Sequence, residues 1–552
     1  MSLQRRLPLL AVALVIAMWA AGGAVVPVSA IAAVEAGPTC QAIWTIADTP
    51  NPGVGDNVLE AIVAVSVDDV WAVGRHAPYP YQTLTEHWDG DRWSEIPSPD
   101  VGSGSNFLLD VAATGPSDVW AVGYSTGEAE VQSLIIHWDG VEWSAVPAPH
   151  VGKNSNFLYG VSATGPDDAW SVGDSITTRG LALHWNGTRW SVVPTPDAGS
   201  LTALSAVEAI SSEDVWAVGG ADVTGFLHWD GSQWTFVPGP DPRGNIQSLE
   251  ALGSDEVWAA GYGQGSEQGD VTLTERWDGT SWTIVPSPNI GVFQNYLSDV
   301  AGTGSDDVWA VGNWYSFQQV VARTLALHWD GFRWTVVDGP TMVDSTNSLL
   351  GVAADPSGTV WAAGYGPGQA QSLVERICPA LVTDSGFDPQ TIHSPGAGGV
   401  AWRFDPANMK EHSIADASGL GLFDSGLREP GSSFTFSYPS AGSYRVEDST
   451  TGAISLVEIG LHADPRHGQI DRRFDVVWGS HGMRPGLVID VQIRRPGSGS
   501  FEDWLPDLRT GGAKFVPDGG PGQYAFRARV RDTDTGAASA YSPPVSILVG
   551  EG

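Results

Sequence analysis

Apolar and polar positions along this chain alternate in short runs that never settle into a helical period. One stretch shows the pattern. "FLLDVAATG" (107–115) is an apolar run closing on glycine, and "DVWAVG" (118–123) alternates around a tryptophan. "SLIIHWDG" (133–140) is rich in β-branched residues and ends on a turn dipeptide, while "EWSAVPAP" (142–149) ends in prolines. Each run has the length and punctuation of a strand, so the group predicts four consecutive antiparallel strands.

The group recurs. Its first tryptophan falls at Trp71, Trp120, Trp170, Trp216, Trp258, Trp309 and Trp361, at spacings of 49, 50, 46, 42, 51 and 52 residues. A second falls at Trp88, Trp138, Trp185, Trp229, Trp277 and Trp329, and a third at Trp93, Trp143, Trp190, Trp234, Trp282 and Trp334. Four strands per repeat at this period is the signature of a propeller blade. Seven first tryptophans predict seven blades, with large flat side chains filling the wedges between them. The outer strand of the seventh blade is missing at its expected place, where Ile377 stands for the second tryptophan. "CQAIWTIADTPNP" (40–52) matches "DGDRWSEIPSPD" (89–100), with Trp44 on Trp93, so the N-terminal strand is expected to close the ring.

The cysteines fit the same register. Cys40 and Cys378 both fall where Asp89 falls, in the hairpin turn that only the closing blade leaves cut open. A disulfide between them would replace the missing loop and, by chain entropy, add on the order of 5 kcal/mol. The repeat resembles bacterial extracellular kelch-like and WD-repeat-like propellers over roughly residues 40–379. That resemblance implies a fold and no particular function.

Two shorter segments follow. Residues 381–460 resemble a plastocyanin-type cupredoxin in Val400 to Trp402, His412, Phe423 to Gly426 and the run from Pro430 to Tyr444. His412 matches that family's first copper ligand, but Val446 stands where its cysteine ligand would be, and no second His or Met follows before Gly452. Type 1 copper requires that set, so copper is not expected and the domain is read as a spacer or docking sandwich. Residues 461–552 resemble a fibronectin type III domain, with Trp478 and Tyr524 as its buried aromatics. The expected fold class is therefore all-β: a seven-bladed propeller over 37–380 and two β-sandwiches.

Composition narrows the function. Formal net charge is −36, with 63 acidic against 27 basic residues, which argues against a nucleic-acid partner. It permits calcium without indicating it. Residues 1–36 carry Arg5 and Arg6, an apolar run from Leu7 to Ala21, and small-residue cleavage positions ending at Ala30 and Ala36. They read as a secretory signal peptide, with a retained anchor as the alternative. The mature chain is then secreted or surface-exposed, without a membrane span, and monomeric.

Candidate chemistry is sparse. Asp69, Asp118, Asp168, Asp214, Glu256 and Asp307 recur two residues before the first tryptophan, either as a cation-attracting ring or as turn caps. His87, His137, His184, His228 and His328 precede the second tryptophan and read as blade features. On the opposite face, loops of variable length bring Tyr79, Tyr81, Trp314, Tyr315 and Phe317, read as a stacking platform for a sugar or peptide or as local packing. Asn57, Asn106, Asn156, Asn295 and Asn347 lie fourteen residues before a first tryptophan, lining a polar pocket or bonding the turn backbone. No Ser-His-Asp constellation, zinc motif or phosphate loop is visible. The expected function is non-catalytic binding or adhesion to an extracellular glycan, peptide or cell-wall component. The alternatives are a polysaccharide hydrolase or lyase and a structural surface protein.

Overall fold

The computed structural model describes residues 41–127, 130–152, 155–175, 180–196, 203–220, 225–241, 243–265, 269–290, 294–316, 319–339, 346–366, 371–394, 398–479 and 484–550. Among them every regular element is a strand. Cys40, Phe317 and the segment 1–36 lie outside the described residues.

Seven four-stranded antiparallel sheets form the propeller. Blade 1 is built from Asn57–Ser66, Asp69–His76, Gln82–Trp88 and Trp93–Glu95, in that order from the channel outwards. The first strands of neighbouring blades touch one another around the channel. Blade 7 contains Ser348–Ala354, Val360–Gly366 and Gln371–Ile377, and its outer strand is Thr45–Ala47, paired as Thr45↔Arg376 and Ala47↔Val374. The ring thus closes through the N-terminal strand in the expected register.

The tryptophans do the wedging. Six of the seven first tryptophans meet both the second and the third of the next blade: Trp71 lies 4.8 Å from Trp138 and edge-on to Trp143 at 5.3 Å. Trp361 closes the series against Trp88 and Trp93 at 5.3 and 5.6 Å. Trp309 meets Trp44 of the closing strand edge-on at 5.6 Å. Each such ring removes about 150–250 Å² from water. The Trp-Asp-Gly turn has its own logic. Gly90 sits at φ 92°, which favours glycine, and Asp89 Oδ1 accepts the N–H groups of Asp91 and Arg92 at 3.0 Å.

The six recurrent acidic residues have another role than turn capping. His87 Nε2 lies 2.8 Å from Asp69 Oδ1, and the same pair recurs as His137–Asp118, His184–Asp168, His228–Asp214 and His328–Asp307 at 2.6–3.0 Å. Arg276–Glu256 takes the place of the pair in blade 5. Each imidazole also lies tilted against the first tryptophan of its own blade, as His137 does against Trp120 at 4.2 Å. The acidic ring therefore ties strand 2 to strand 3.

Three glutamates occupy one equivalent position in strand 3, where other blades carry Ile136, Leu183, Leu227 or Leu327. Glu86, Glu275 and Glu375 are fully buried. Among the described residues, both carboxyl oxygens of Glu86 and Glu275, and Oε1 of Glu375, have no hydrogen-bond partner. Ser372 and the Asp241 main chain reach Glu86 and Glu275 electrostatically, but not in hydrogen-bonding geometry. Burial pushes the carboxyls of Glu275 and Glu375 up to about 8, and that of Glu86 well above its usual range.

Beyond Cys378 come two β-sandwiches. The first pairs a sheet of Gly386–Asp388, Ala380–Thr383, Gly399–Phe404 and Ser433–Ser437 with one of Thr391–Ser394, Ile454–Ile459, Gly442–Asp448 and Ile414–Asp416. Its core holds Trp402, Phe434, Tyr444 and Val446, and also Ala42 and Ile43 of the segment leading into the closing strand. The second combines a three-stranded and a five-stranded sheet around Trp478, Tyr524 and Phe526. The first sandwich is seated on blade 6. His328 is completely buried there, with Nδ1 3.0 Å from Thr435 Oγ1, and Arg428 donates to the Asp330 carbonyl at 2.6 Å. His412 is a packing group: Nδ1 lies 2.9 Å from Asp448 and Nε2 3.0 Å from Asp384.

Candidate functional site

The strongest concentration of unusual side chains is at the upper end of the channel, where first strands begin and second strands end. Cross-strand register sets it up. Phe107 pairs with Tyr124, Phe157 with Asp174, Asn245 with Tyr262, Tyr296 with Asn313, and Ser348 with Tyr365. In blade 1 the equivalent pair is Val58 and Arg75. These positions flank the strand residues that pack inside the blades, such as Leu108, Leu158 and Leu297, which are fully buried. The aromatic rings at the rim are only half-buried.

They form a chain of ring contacts. Tyr79 meets Tyr81 at 6.2 Å, Tyr81 meets Phe107 at 5.8 Å, and Phe107 stacks on Tyr124 at 4.7 Å. Tyr124 meets Phe157 at 5.1 Å, and Phe157 stacks with Tyr159 at 6.1 Å. On the far side Tyr262, Tyr296 and Tyr315 follow at 4.7 and 6.3 Å. Arg75 lies over Tyr81 and Phe107 at 5.8 and 5.5 Å, and pairs with Glu60. Polar groups are interleaved: Asn245 donates to the Tyr262 hydroxyl at 2.9 Å, and Tyr296 donates to Asp270 at 2.7 Å. Burial and the neighbouring Asp174 carboxylate raise the Tyr159 hydroxyl to about 12, so it stays protonated and available as a donor.

Below the rim the channel wall is acidic. Asp110, Glu208, Glu250 and Asp299 come from four different first strands. Burial raises Asp110 to about 7, Glu208 to about 8, Asp299 to about 6 and Glu250 well above its usual range, and their like charges add to this for Asp110, Glu208 and Glu250. Their oxygens are engaged by neighbouring blades. Asp110 accepts the Val161 N–H at 2.7 Å, Asp299 the Val352 N–H at 2.7 Å, and Glu250 the Gly302 N–H at 3.2 Å. These carboxyls bolt adjacent blades together. Among the described residues, no group of three or more His, Cys, Asp or Glu side chains is placed to hold a metal ion.

The sequence-derived candidates divide. Tyr79, exposed at 80 %, Tyr81 and Tyr315 belong to the ring chain. Trp314 does not stand exposed at the channel mouth. It alternates to the other side of its strand, is half-buried against the cluster between blades 5 and 6, and has Arg323 over its ring at 5.7 Å. Asn57, Asn106, Asn156, Asn295 and Asn347 are buried, and four of them brace the turn backbone. Asn57 Oδ1 accepts the Gly53 N–H at 2.9 Å, Asn106 the Val101 N–H at 2.9 Å, Asn156 the Val151 N–H at 3.1 Å, and Asn295 the Ile290 N–H at 3.1 Å. Sequence reasoning missed Phe107, Tyr124, Phe157, Tyr262, Tyr296 and Tyr365. The available signal was the aromatic directly after the recurrent Asn or directly after the Gly of the "DVWAVG" strand.

No family model matches the chain, and no curated protein matches it. Among solved structures it is similar to YCF48 from Cyanidioschyzon merolae, at 15 % identity over 61 % of this chain and 98 % of that one, with a TM-score of 0.41. It is also similar to the SapL1 lectin in complex with alpha methyl fucoside, at 13 % identity over 55 % of this chain and 98 % of that one, with a TM-score of 0.34. The GH74 xyloglucanase from Xanthomonas campestris is similar at 10 % identity over 90 % of this chain and 92 % of that one, with a TM-score of 0.42. The chain is all-β, a β-propeller followed by additional β domains.

Proposed function

We propose that the protein is a secreted or surface-exposed glycan-binding protein whose propeller takes a saccharide at the channel mouth. The observation that carries this reading is the half-buried belt from Tyr81 through Phe107 and Tyr124 to Phe157, faced by Tyr262, Tyr296 and Tyr315. Aromatic faces interleaved with amides and hydroxyls suit the apolar faces and hydroxyl edges of sugar rings. The two sandwiches, read as cupredoxin-like and fibronectin type III-like, present the propeller. A Cys40–Cys378 disulfide locks its closing blade. In support of that bond, the Cys378 N–H donates to the Gln41 carbonyl at 2.8 Å, which brings the residue next to Cys40 against Cys378.

A second reading, polysaccharide hydrolysis, is favoured by one observation: carboxyls such as Asp110, held near 7, supply protonated acids in the channel. Their engagement by backbone N–H groups of the next blade weighs toward binding. The test is a glycan array with the mature full-length chain, followed by calorimetry on the best ligand. Phe107→Ala and Tyr296→Ala should each weaken binding by about 10-fold or more, in line with aromatic anchors elsewhere. Undiminished binding by both variants would overturn the belt as the site. Release of reducing ends by wild type, abolished by Asp110→Asn, would establish the hydrolase.

A further inference from the structure

One strand-3 position is satisfied in the same way in three blades and left open in a fourth. In blade 1 the Thr83 N–H is capped by Asp100 Oδ1 at 2.9 Å, and its hydroxyl meets Ser98 Oγ at 2.9 Å. In blade 5 Asn289 Oδ1 caps the Thr272 N–H at 2.8 Å, and Ser287 meets the hydroxyl at 2.8 Å. In blade 7 Asn51 Oδ1 caps the Ser372 N–H at 2.9 Å, and Thr49 meets the hydroxyl at 2.9 Å. All three use a short polar residue, a proline, and an Asp or Asn in the segment leaving the outer strand.

Blade 2 has Ser133 at the strand position, but the leaving segment reads Ala148-Pro149-His150. Alanine removes the hydroxyl partner and histidine removes the capping oxygen. Among the described residues, the buried Ser133 Oγ has no hydrogen-bond partner. His150 turns away, with Nδ1 3.4 Å from Asn156 Nδ2 and Nε2 3.7 Å from Glu130. Where the other side chains would lie there is a cavity of about 400 Å³, walled by Val101, Ile135, Pro147 and Pro149 and edged by Glu130, Gln132, Ser133 and His150. That volume is at the small end of ligand sites and suits a single ring.

We propose that this cavity is a second saccharide subsite, separate from the channel mouth, which takes one neutral pyranose unit through a hydroxyl oxygen. That oxygen stands where Asp100, Asn289 and Asn51 place theirs, and it satisfies Ser133. Glu130 at the edge accepts a second hydroxyl, and its charge, with a net charge of −36, disfavours a carboxylate ligand. The proline and valine walls pack the apolar face of the ring. This inference rests on the glycan reading of the protein but not on the channel-mouth site.

The test is ligand-observed NMR on the mature full-length chain. Methyl pyranosides of glucose, galactose and mannose are the probes, with sodium acetate as the carboxylate control. Wild type should bind at least one pyranoside, and the double variant Ala148→Ser, His150→Asp, which copies blade 1, should lose that binding by about 10-fold or more. The same loss should appear in a Tyr296→Ala background, where the channel mouth no longer contributes to binding. A refilled variant that folds, by its melting curve, and binds as wild type does overturns the proposal. So does acetate competing at equal strength, or wild type binding no pyranoside. If array ligands still bind in a Tyr296-dependent way, only the subsite has failed. If pyranosides bind the cavity while Tyr296→Ala and Phe107→Ala leave array binding intact, only the channel-mouth reading has failed.

Discussion

Replacing Glu375 by glutamine should make the propeller more stable at alkaline pH and leave it nearly unchanged at pH 4.5. Glu375 is buried in blade 7, and burial raises its carboxyl from 4.5 to about 8. Below pH 4.5 the group is protonated whether the chain is folded or not, so it costs nothing. As pH rises, the unfolded chain ionises freely while the folded one holds its proton, and stability falls until about pH 8, where the cost levels off. At about 1.4 kcal/mol per pKa unit, the full cost is about 5 kcal/mol. Glutamine keeps the shape and cannot ionise. Urea unfolding of wild type and variant at pH 5, 6.5 and 8.5, followed by tryptophan fluorescence, would show the curves diverging as pH rises. The variant's midpoint should lie above wild type's at pH 8.5. Parallel curves, or a variant less stable at pH 8.5, would refute the reasoning and mean that the carboxylate is stabilised there.

Trp120→Ala should destabilise by about 3–5 kcal/mol, as truncation of a buried tryptophan does, and Trp314→Ala by clearly less because its ring is half-buried; denaturant titration separates them. Non-reducing peptide mapping of the exported protein should recover Cys40 joined to Cys378, and free thiols at both would exclude the bridge. Copper(II) titration should give no intense visible thiolate band, because Val446 occupies the cupredoxin cysteine position. His328→Ala should loosen the first sandwich from blade 6, read as faster limited proteolysis between residues 378 and 399, and unchanged cleavage would show that Arg428 and the strand contacts suffice.

The propeller was legible because its code is written in every repeat. Trp120 recurs with its partners Trp185 and Trp190, the last two always five residues apart, and Trp44 gave away the closing strand. Chemistry that depends on two repeats meeting was harder to read. The Asp118 and His137 series were each visible, yet their pairing depends on the register between strands 2 and 3, which spacing alone did not reveal. The belt was not legible in loop length and composition, because Phe107 and Tyr124 belong to regular strands and look like ordinary core aromatics. Whether such a side chain faces the blade core, like Leu108, or the rim depends on one step of alternation. Trp314 and Tyr315 are adjacent in sequence and part company for that reason.

The closing strand also sets the order of events during synthesis. Thr45–Ala47 leaves the ribosome first, and its partner Gln371–Ile377 is made only after the whole ring has been translated. Blades 1 to 6 each hold all four of their strands in continuous sequence and can assemble as they emerge. The N-terminal strand has to wait through all of that with its edge unpaired. Ala42 and Ile43, just before it, belong to the core of the first sandwich, which is made later still. Maturation therefore ends with two late dockings onto one early segment, so a chain stalled or cut after Val336 but before Gln371 would carry six formed blades and no closed ring.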